Sequence, residues 1–150
     1  MFQGTESIWL PFEPKQTYLV AETYPTFVRF FLKGSKIIEQ NDLYMVVEVH
    51  ARLLNFLPSR WKGEGEKVPF QRINFTQTEG LFKGLKAEWL FEEAGNGTQV
   101  SIKTRFEKPN IGSFGEWLLG KFVVERTTRK ILQELSWALK ASRTSTIQNR

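Results

Sequence analysis

The sequence contains no cysteine, a single histidine and only two methionines. Without cysteine there are no disulfides, no thiolate nucleophile and no zinc-finger ligand spacing, which agrees with a reducing compartment. His50 is the only imidazole, so a histidine-rich metal site is excluded and a Ser-His-Asp arrangement would have to use this one residue. No metal site and no cofactor is expected. No apolar run approaches the roughly 18 residues that a membrane-spanning helix requires. The opening stretch Met1-Phe2-Gln3-Gly4-Thr5-Glu6 lacks a basic region followed by an apolar one, so a soluble, cytoplasmic protein is expected. Asn74-Phe75-Thr76 and Asn96-Gly97-Thr98 fit the glycosylation pattern but read more simply as a strand segment and a turn.

What is present describes one globular unit. The 150 residues suit a single domain, since independent cores form at about 100 to 200 residues. Its ordered part is expected over about 7–142, with a flexible tail at 144–150. Hydrophobic residues make up 41% and charged residues 25%, which excludes a disordered or collagen-like chain. Aromatic residues reach 14%, including 13 Phe and 5 Trp. Side chains that large and rigid suit either a thick core or the wall of an apolar cavity. The net charge of +5 permits attraction to the phosphates of nucleic acid or anionic lipid.

Ser7 to Phe12 reads as a short strand. Pro14 then stands where a first helical turn tolerates it, Thr17 to Tyr24 has helical composition, and Pro25 stops the helix. Thr26 to Phe31 resembles a second short helix or turn, closed by Gly34. From Ser35 the period becomes two: a strand to Gln40, an Asn41-Asp42 turn, and Leu43 to Arg52, with Leu43, Met45, Val47, Val49 and Ala51 on one face. Tyr44, Val46, Glu48 and His50 take the other face. Arg60 to Lys62 and Arg72 to Thr76 look like strand cores, joined by a turn at Gly63–Gly65 or at Val68-Pro69-Phe70. Leu85, Ala87, Trp89 and Phe91 alternate with polar residues, Gly95-Asn96-Gly97 reverses the chain, and Val100, Ile102, Thr104 and Phe106 alternate in return. That hairpin has one apolar and one charged face. From Ser113 to Ser142 nothing breaks the chain, and apolar residues recur at three- and four-residue steps. One amphipathic helix of roughly 45 Å fits.

A strand, two short helices, about six antiparallel strands and a long terminal helix make an α+β arrangement in which the helix covers the apolar sheet face. Several stretches then carry a resemblance: Pro11-Phe12-Glu13-Pro14 leading into Tyr18, Tyr24-Pro25-Thr26-Phe27, Glu79-Gly80-Leu81-Phe82-Lys83-Gly84-Leu85, Trp89-Leu90-Phe91, Gly97-Thr98 and the closing helix. In this order the chain resembles the START-like superfamily, in its polyketide cyclase/dehydrase and coenzyme Q-binding branch, over about residues 7–142. The resemblance implies a helix-grip fold: a curved antiparallel sheet of about seven strands around the C-terminal helix, two short helices after the first strand, and an apolar cavity between sheet and helix. It also favours the Val68-Pro69-Phe70 turn. Members bind lipids, quinones, polyketides, hormones or aromatic intermediates, so the superfamily implies a cavity without naming its ligand.

The expected ligand-binding set is Met45, Val47, Val49, Phe75, Trp89, Phe91, Ile102 and Thr104 from the strands, with Trp117, Leu118 and Phe122 from the helix. Ile73, Ala87 and Phe114 share those faces. Plain core packing explains the same pattern. Trp89 and Trp117 stand out because an indole joins a large apolar area to one hydrogen-bond donor. His50, Glu48, Glu88, Glu92 and Glu107 fall on outward parities, so no acid–base pair forms and no catalytic residue is assigned. Arg52, Arg60, Arg72 and Arg105 lie in strands, where an inward guanidinium would orient a carboxylate or polarise a carbonyl. Lys121, Arg126, Arg129, Lys130, Lys140 and Arg143 form a basic helix face. Lys15, Arg29, Lys33 and Lys36, with Phe27, Phe30 and Phe31, suit a lip touching an anionic membrane. Solvation alone also accounts for those charges.

These observations point first to a binding or carrier protein that encloses a small hydrophobic ligand, such as a lipid, quinone or polyketide-like molecule. A polyketide cyclase or aromatase is the enzymatic alternative, requiring polar groups aimed inward. A ribosome- or RNA-associated module using the basic face is the third. The oligomeric state is not legible.

Overall fold

The computed structural model describes residues 2–23, 36–53, 57–79, 83–107 and 124–148, with side chains for all of these except 2, 36, 49–53, 57–61 and 143–148. The elements are β1 (Phe2–Leu10), α1 (Pro14–Ala21), β2 (Lys36–Gln40), β3 (Tyr44–Leu53), β4 (Leu57–Val68), β5 (Arg72–Glu79), β6 (Lys86–Ala94), β7 (Gly97–Phe106) and α2 (Arg126–Gln148). The strands form one 7-stranded sheet in the order β1-β7-β6-β5-β4-β3-β2. Each neighbouring pair is antiparallel. The α+β, helix-grip architecture expected from the sequence is the one observed: a curved sheet against a C-terminal helix.

Three boundaries differ from the sequence-based expectation. The first strand begins at Phe2 rather than Ser7 and ends before Pro11. Gln3 to Glu6 show no apolar alternation, but they pair with β7 in unbroken register from Phe2↔Phe106 to Leu10↔Thr98. Edge pairing, not burial of large side chains, makes that half of β1 a strand. The second difference is β4, which runs unbroken through Gly63 and Gly65. These glycines are not a turn: a Cβ on Gly65 would sit 2.9 Å from both Met45 Cγ and Phe75 Cε1. The missing side chain is what lets its cross-strand neighbours fill the interior. Thirdly, the backbone of α2 stays helical to Gln148, past Ser142 where the apolar pattern stops, since no Pro or Gly follows to break it. The expected second short helix at Thr26–Phe31 and the Ser113–Phe122 part of the terminal helix lie outside the described residues.

The reversal between β4 and β5 falls at Val68-Pro69-Phe70-Gln71, closed by Gln71 N–H donating to the Val68 carbonyl at 3.0 Å. Pro69 supplies the first central position. Phe70 takes φ 67° at the second, a left-handed conformation that favours glycine. Its ring meets Tyr18 edge-on at 5.5 Å, and the Lys15 ammonium lies 5.5 Å from its centroid. Those contacts offset the backbone strain and seat α1 over the end of the sheet. Strand alternation sends Met45, Val47, Ile73, Phe75, Trp89 and Ile102 to the inner face, where Leu132, Leu135 and Leu139 of α2 complete the core.

Candidate functional site

The inner face divides along the helix. Toward the middle of α2, Met45, Val47, Ile73, Val100, Leu135 and Leu139 have no accessible surface. Each is enclosed by protein on all sides, so a ligand reaches them only by displacing neighbours. Trp89 and Phe91 lie with their rings tilted by 31° and centroids 6.5 Å apart, and Phe75 meets Trp89 edge-on at 6.1 Å.

Near the start of α2 the face opens. A cavity of about 210 Å³ lies between β1, β7 and the helix entry, lined by Gly4, Glu6, Ile102 and Thr104 on the sheet side and by Val124, Glu125 and Thr128 opposite. The cause is a row of small side chains. Cross-strand register aligns Gly4, Thr104 and Ala87 on β1, β7 and β6, beside the larger Phe75 on β5. The Thr128 hydroxyl donates to the Val124 carbonyl at 2.7 Å, which leaves its oxygen as an acceptor toward the cavity. Thr104 is 6% exposed and presents a second hydroxyl.

One ion-pair network closes this end. Arg129 Nε donates to Glu6 Oε2 at 3.2 Å, and Arg129 Nη2 donates to Glu125 Oε1 at 2.6 Å. The hydrogen bond and charge of Glu6, followed by the charge of Glu125, push the Arg129 pKa up. Both carboxylates are therefore committed to one cation. The arrangement offers two apolar side chains, Ile102 and Val124, among hydroxyls and an acid pair that shares one cation, which suits a ligand with a polar end at this mouth.

The opposite end of the face is sealed by a second polar cluster. Lys67 is turned inward with its side chain 1% exposed. Its ammonium donates to Glu22 Oε2 at 3.1 Å and to the Asn41 carbonyl at 2.9 Å. Tyr18 lies beside it, 2% exposed, its hydroxyl buried without a hydrogen-bond partner. Burial, then the charges of Glu22 and Asp42, push the Tyr18 pKa up to about 12. A phenol held neutral over that range is a poor general base at physiological pH.

Of the expected ligand-binding residues, Met45, Val47, Phe75, Trp89, Phe91 and Ile102 join the buried inner cluster, while Ile102 and Thr104 also border the open cavity. The side chain of Val49, and Trp117, Leu118 and Phe122, lie outside the described residues, as do the side chains of His50, Arg52 and Arg60. Arg72 and Arg105 point outward, to Glu88 at 3.9 Å and Glu107 at 2.7 Å. Neither arms the interior. Seven cavity residues are absent from the expected ligand-binding set: Gln3, Gly4, Thr5, Glu6, Val124, Glu125 and Thr128. Glu6 shares parity with Ile8 and Leu10, a signal visible only once β1 is extended back to Phe2. Arg129 lies on the solvated basic face expected of it, its side chain 60% exposed, with ion-pair partners on β1 and in the preceding helical turn. No helix among the described residues is long and apolar enough to cross a membrane.

Solved structures share this architecture. Protein TTHA0849 from Thermus thermophilus is 20% identical, with 94% of this chain and 99% of that one covered at a TM-score of 0.81. The Zhui aromatase/cyclase from a Streptomyces species is 16% identical, with 93% of each chain covered at 0.79. Ara h 8.0201 is 14% identical, with 93% and 98% covered at 0.70. At these identities the likeness is one of fold. No curated protein matches. The family profile described as Polyketide cyclase / dehydrase and lipid transport matches residues 11–138, and the chain, START-like in fold, belongs to that family.

Proposed function

We propose that this protein is a non-enzymatic binding or carrier protein, which encloses a small hydrophobic molecule of the lipid, quinone or polyketide type between the sheet and the terminal helix. The observation that carries this reading is the cavity of about 210 Å³ bounded by Ile102, Thr104, Val124 and Thr128, continuous in the sheet with the apolar inner face. Burial of the ligand supplies the affinity, at roughly 25 cal/mol for each Å² of apolar surface removed from water. The Thr104 hydroxyl donates to a carbonyl or hydroxyl at its polar end, and the Thr128 oxygen, whose proton goes to Val124, accepts from a ligand hydroxyl. A ligand too large for the open volume displaces the packed inner cluster and meets Met45, Val47, Phe75, Trp89 and Phe91; the sequence pattern assigns Val49, Trp117, Leu118 and Phe122 to the same ligand contact.

The test is native mass spectrometry of the purified protein, denaturing extraction of whatever accompanies it, and thermal melts with a short-chain quinone, a fatty acid and an anthraquinone. A bound ligand at 100 times its Kd stabilises by about 2.7 kcal/mol, which a melt resolves easily. A stoichiometric small molecule or a raised Tm is expected. A bare protein whose Tm none of the three moves overturns the carrier reading.

The second reading, a cyclase or aromatase, is favoured by the likeness to an aromatase/cyclase fold and by the Glu6 carboxylate bordering the cavity. Cyclisation and dehydration of a reactive polyketone chain need a proton donor and acceptor at the reacting carbons. Glu6→Gln separates the two readings: a carrier keeps its affinity, whereas a cyclase that uses this carboxylate loses turnover.

A further inference from the structure

The outer face of the sheet carries a feature that ligand burial inside does not explain. Cross-strand register places Glu64, Thr76, Lys86, Arg105 and Gln3 in one row over β4, β5, β6, β7 and β1. The next row reads Glu66, Asn74, Glu88, Lys103 and Thr5 by the same pairings. In that second row the charges complement one another, with Glu88 directly opposite Lys103. In the first row they do not: Lys86 and Arg105, two cations, face each other directly. Like charges in that position destabilise a sheet. Arg105 has an acid at hand in Glu107 at 2.7 Å, both side chains more than half exposed. Lys86 and Lys103 form no ion pair among the described residues, and the positions flanking the Lys86–Arg105 pair are neutral donors, Thr76 and Gln3.

These rows line a groove of about 880 Å³ on the outside of the sheet. Its β6–β7 wall carries three cations, Lys86, Lys103 and Arg105, and one acid, Glu88, opposite Lys103. Its β4 wall is acidic, through Glu64 and Glu66, beside Tyr44, whose pKa burial and then the charge of Glu64 raise. The two walls are two strand spacings apart, about 10 Å. Of these cations only Lys86 has no acid paired with it or opposite it; together with the facing Arg105 it offers an anion two donors flanked by neutral ones, and carboxylates about 10 Å away accept hydrogen bonds from hydroxyl or amino groups.

We infer that this outer groove is a second binding site, for a phosphate monoester whose hydroxyl or amino groups lie about 10 Å from the phosphate, seated with its phosphate on Lys86 and Arg105. The phosphate relieves the repulsion between the two cations, and Glu64 and Glu66 select for the donor-bearing end. The inference stands apart from the interior cavity and does not depend on what that cavity holds.

The experiment is amide chemical-shift titration of the full chain at low ionic strength with inorganic phosphate, then with AMP and glucose 6-phosphate. Inorganic phosphate is expected to shift amides of β6 and β7, and at least one ester to bind ten-fold more tightly or better. Lys86→Thr is expected to weaken phosphate by at least ten-fold and, because it removes the repulsion, to raise the Tm of the free protein. Glu64→Gln is expected to weaken the ester while leaving inorganic phosphate unchanged. The inference fails if no β6 or β7 amide moves, or if Lys86→Thr leaves the phosphate titration unaltered. It fails equally if Lys130→Gln on the distant helix weakens phosphate as much as Lys86→Thr does, since that result means net charge alone attracts the anion.

Discussion

Around Leu135 and Leu139 the inner face of the sheet is filled to zero accessibility, whereas around Thr104 and Thr128, about two helical turns away, it leaves about 210 Å³ unfilled. Both regions have the same strand alternation and the same helix above them, so periodicity does not separate them. Side-chain volume does. The filled region sets Met45 and Phe75 into the space left by Gly65, while the open one aligns Gly4, Thr104 and Ala87 across three strands. A cavity in this fold is therefore written as a row of small residues at right angles to the chain, one per strand.

The strongest way to break that comparison is to hollow the filled end. Leu135→Ala is expected to cost about 2 to 5 kcal/mol, the transfer of the lost atoms plus a cavity the neighbours cannot close. Denaturant unfolding measures it as a fall in midpoint at unchanged slope. Overfilling is the next test. Gly65→Ala places a methyl 2.9 Å from Met45 Cγ and Phe75 Cε1, and the overpacking is expected to cost about 1 to 3 kcal/mol. Thr104→Val at the open end exchanges a hydroxyl for a methyl beside free volume, with an expected stability change of at most about 1.5 kcal/mol, the net worth of one hydrogen bond. If Thr104→Val destabilises as much as Leu135→Ala in the same assay, the two ends are packed alike and the distinction is wrong.

The sequence made the order of elements legible because each signal was local. The β6–β7 hairpin is readable from Trp89 and Phe91 alternating with Leu90 and Glu92 and from the Gly95-Asn96-Gly97 reversal, and α2 from its three- and four-residue apolar steps. What was not legible depends on partners far along the chain. Gly65 looks like a turn residue until Met45 and Phe75 are seen to occupy its space, and Gly63 until Val47 and Gln77 are seen beside it. Arg129 is solvated as its face indicates, but nothing local shows that Glu6, 123 residues earlier, accepts from it. Lys67 carries no sign in its own neighbourhood that it will be buried against Glu22. The expected ligand-binding residues were found by parity, which says that a side chain faces inward but not whether the interior is full where it arrives.

Tyr18 gives the finest test of how well the filled end is filled. Its ring is packed edge-on against Phe70 and Phe91, yet its hydroxyl is buried with no hydrogen-bond partner. Desolvating that hydroxyl opposes folding without return, so Tyr18→Phe keeps the ring contacts and removes the cost. Near pH 7 it is expected to be neutral or to stabilise by up to about 1 kcal/mol. A second signature comes from titration. The folded-state pKa is raised to about 12 from the 10.0 of a free tyrosine, so below pH 10 neither folded nor unfolded chain is ionised at this residue and it contributes no pH dependence. Between pH 10 and about 12 the unfolded chain loses the proton first, the native state binds the larger number of protons, and stability falls as pH rises. Tyr18→Phe abolishes that part of the alkaline loss. The gap in unfolding free energy between the phenylalanine variant and the parent is therefore expected to widen from pH 8 to pH 11. A gap that stays constant means that the hydroxyl reaches water or a partner in solution, and that the filled end is looser than its packing indicates.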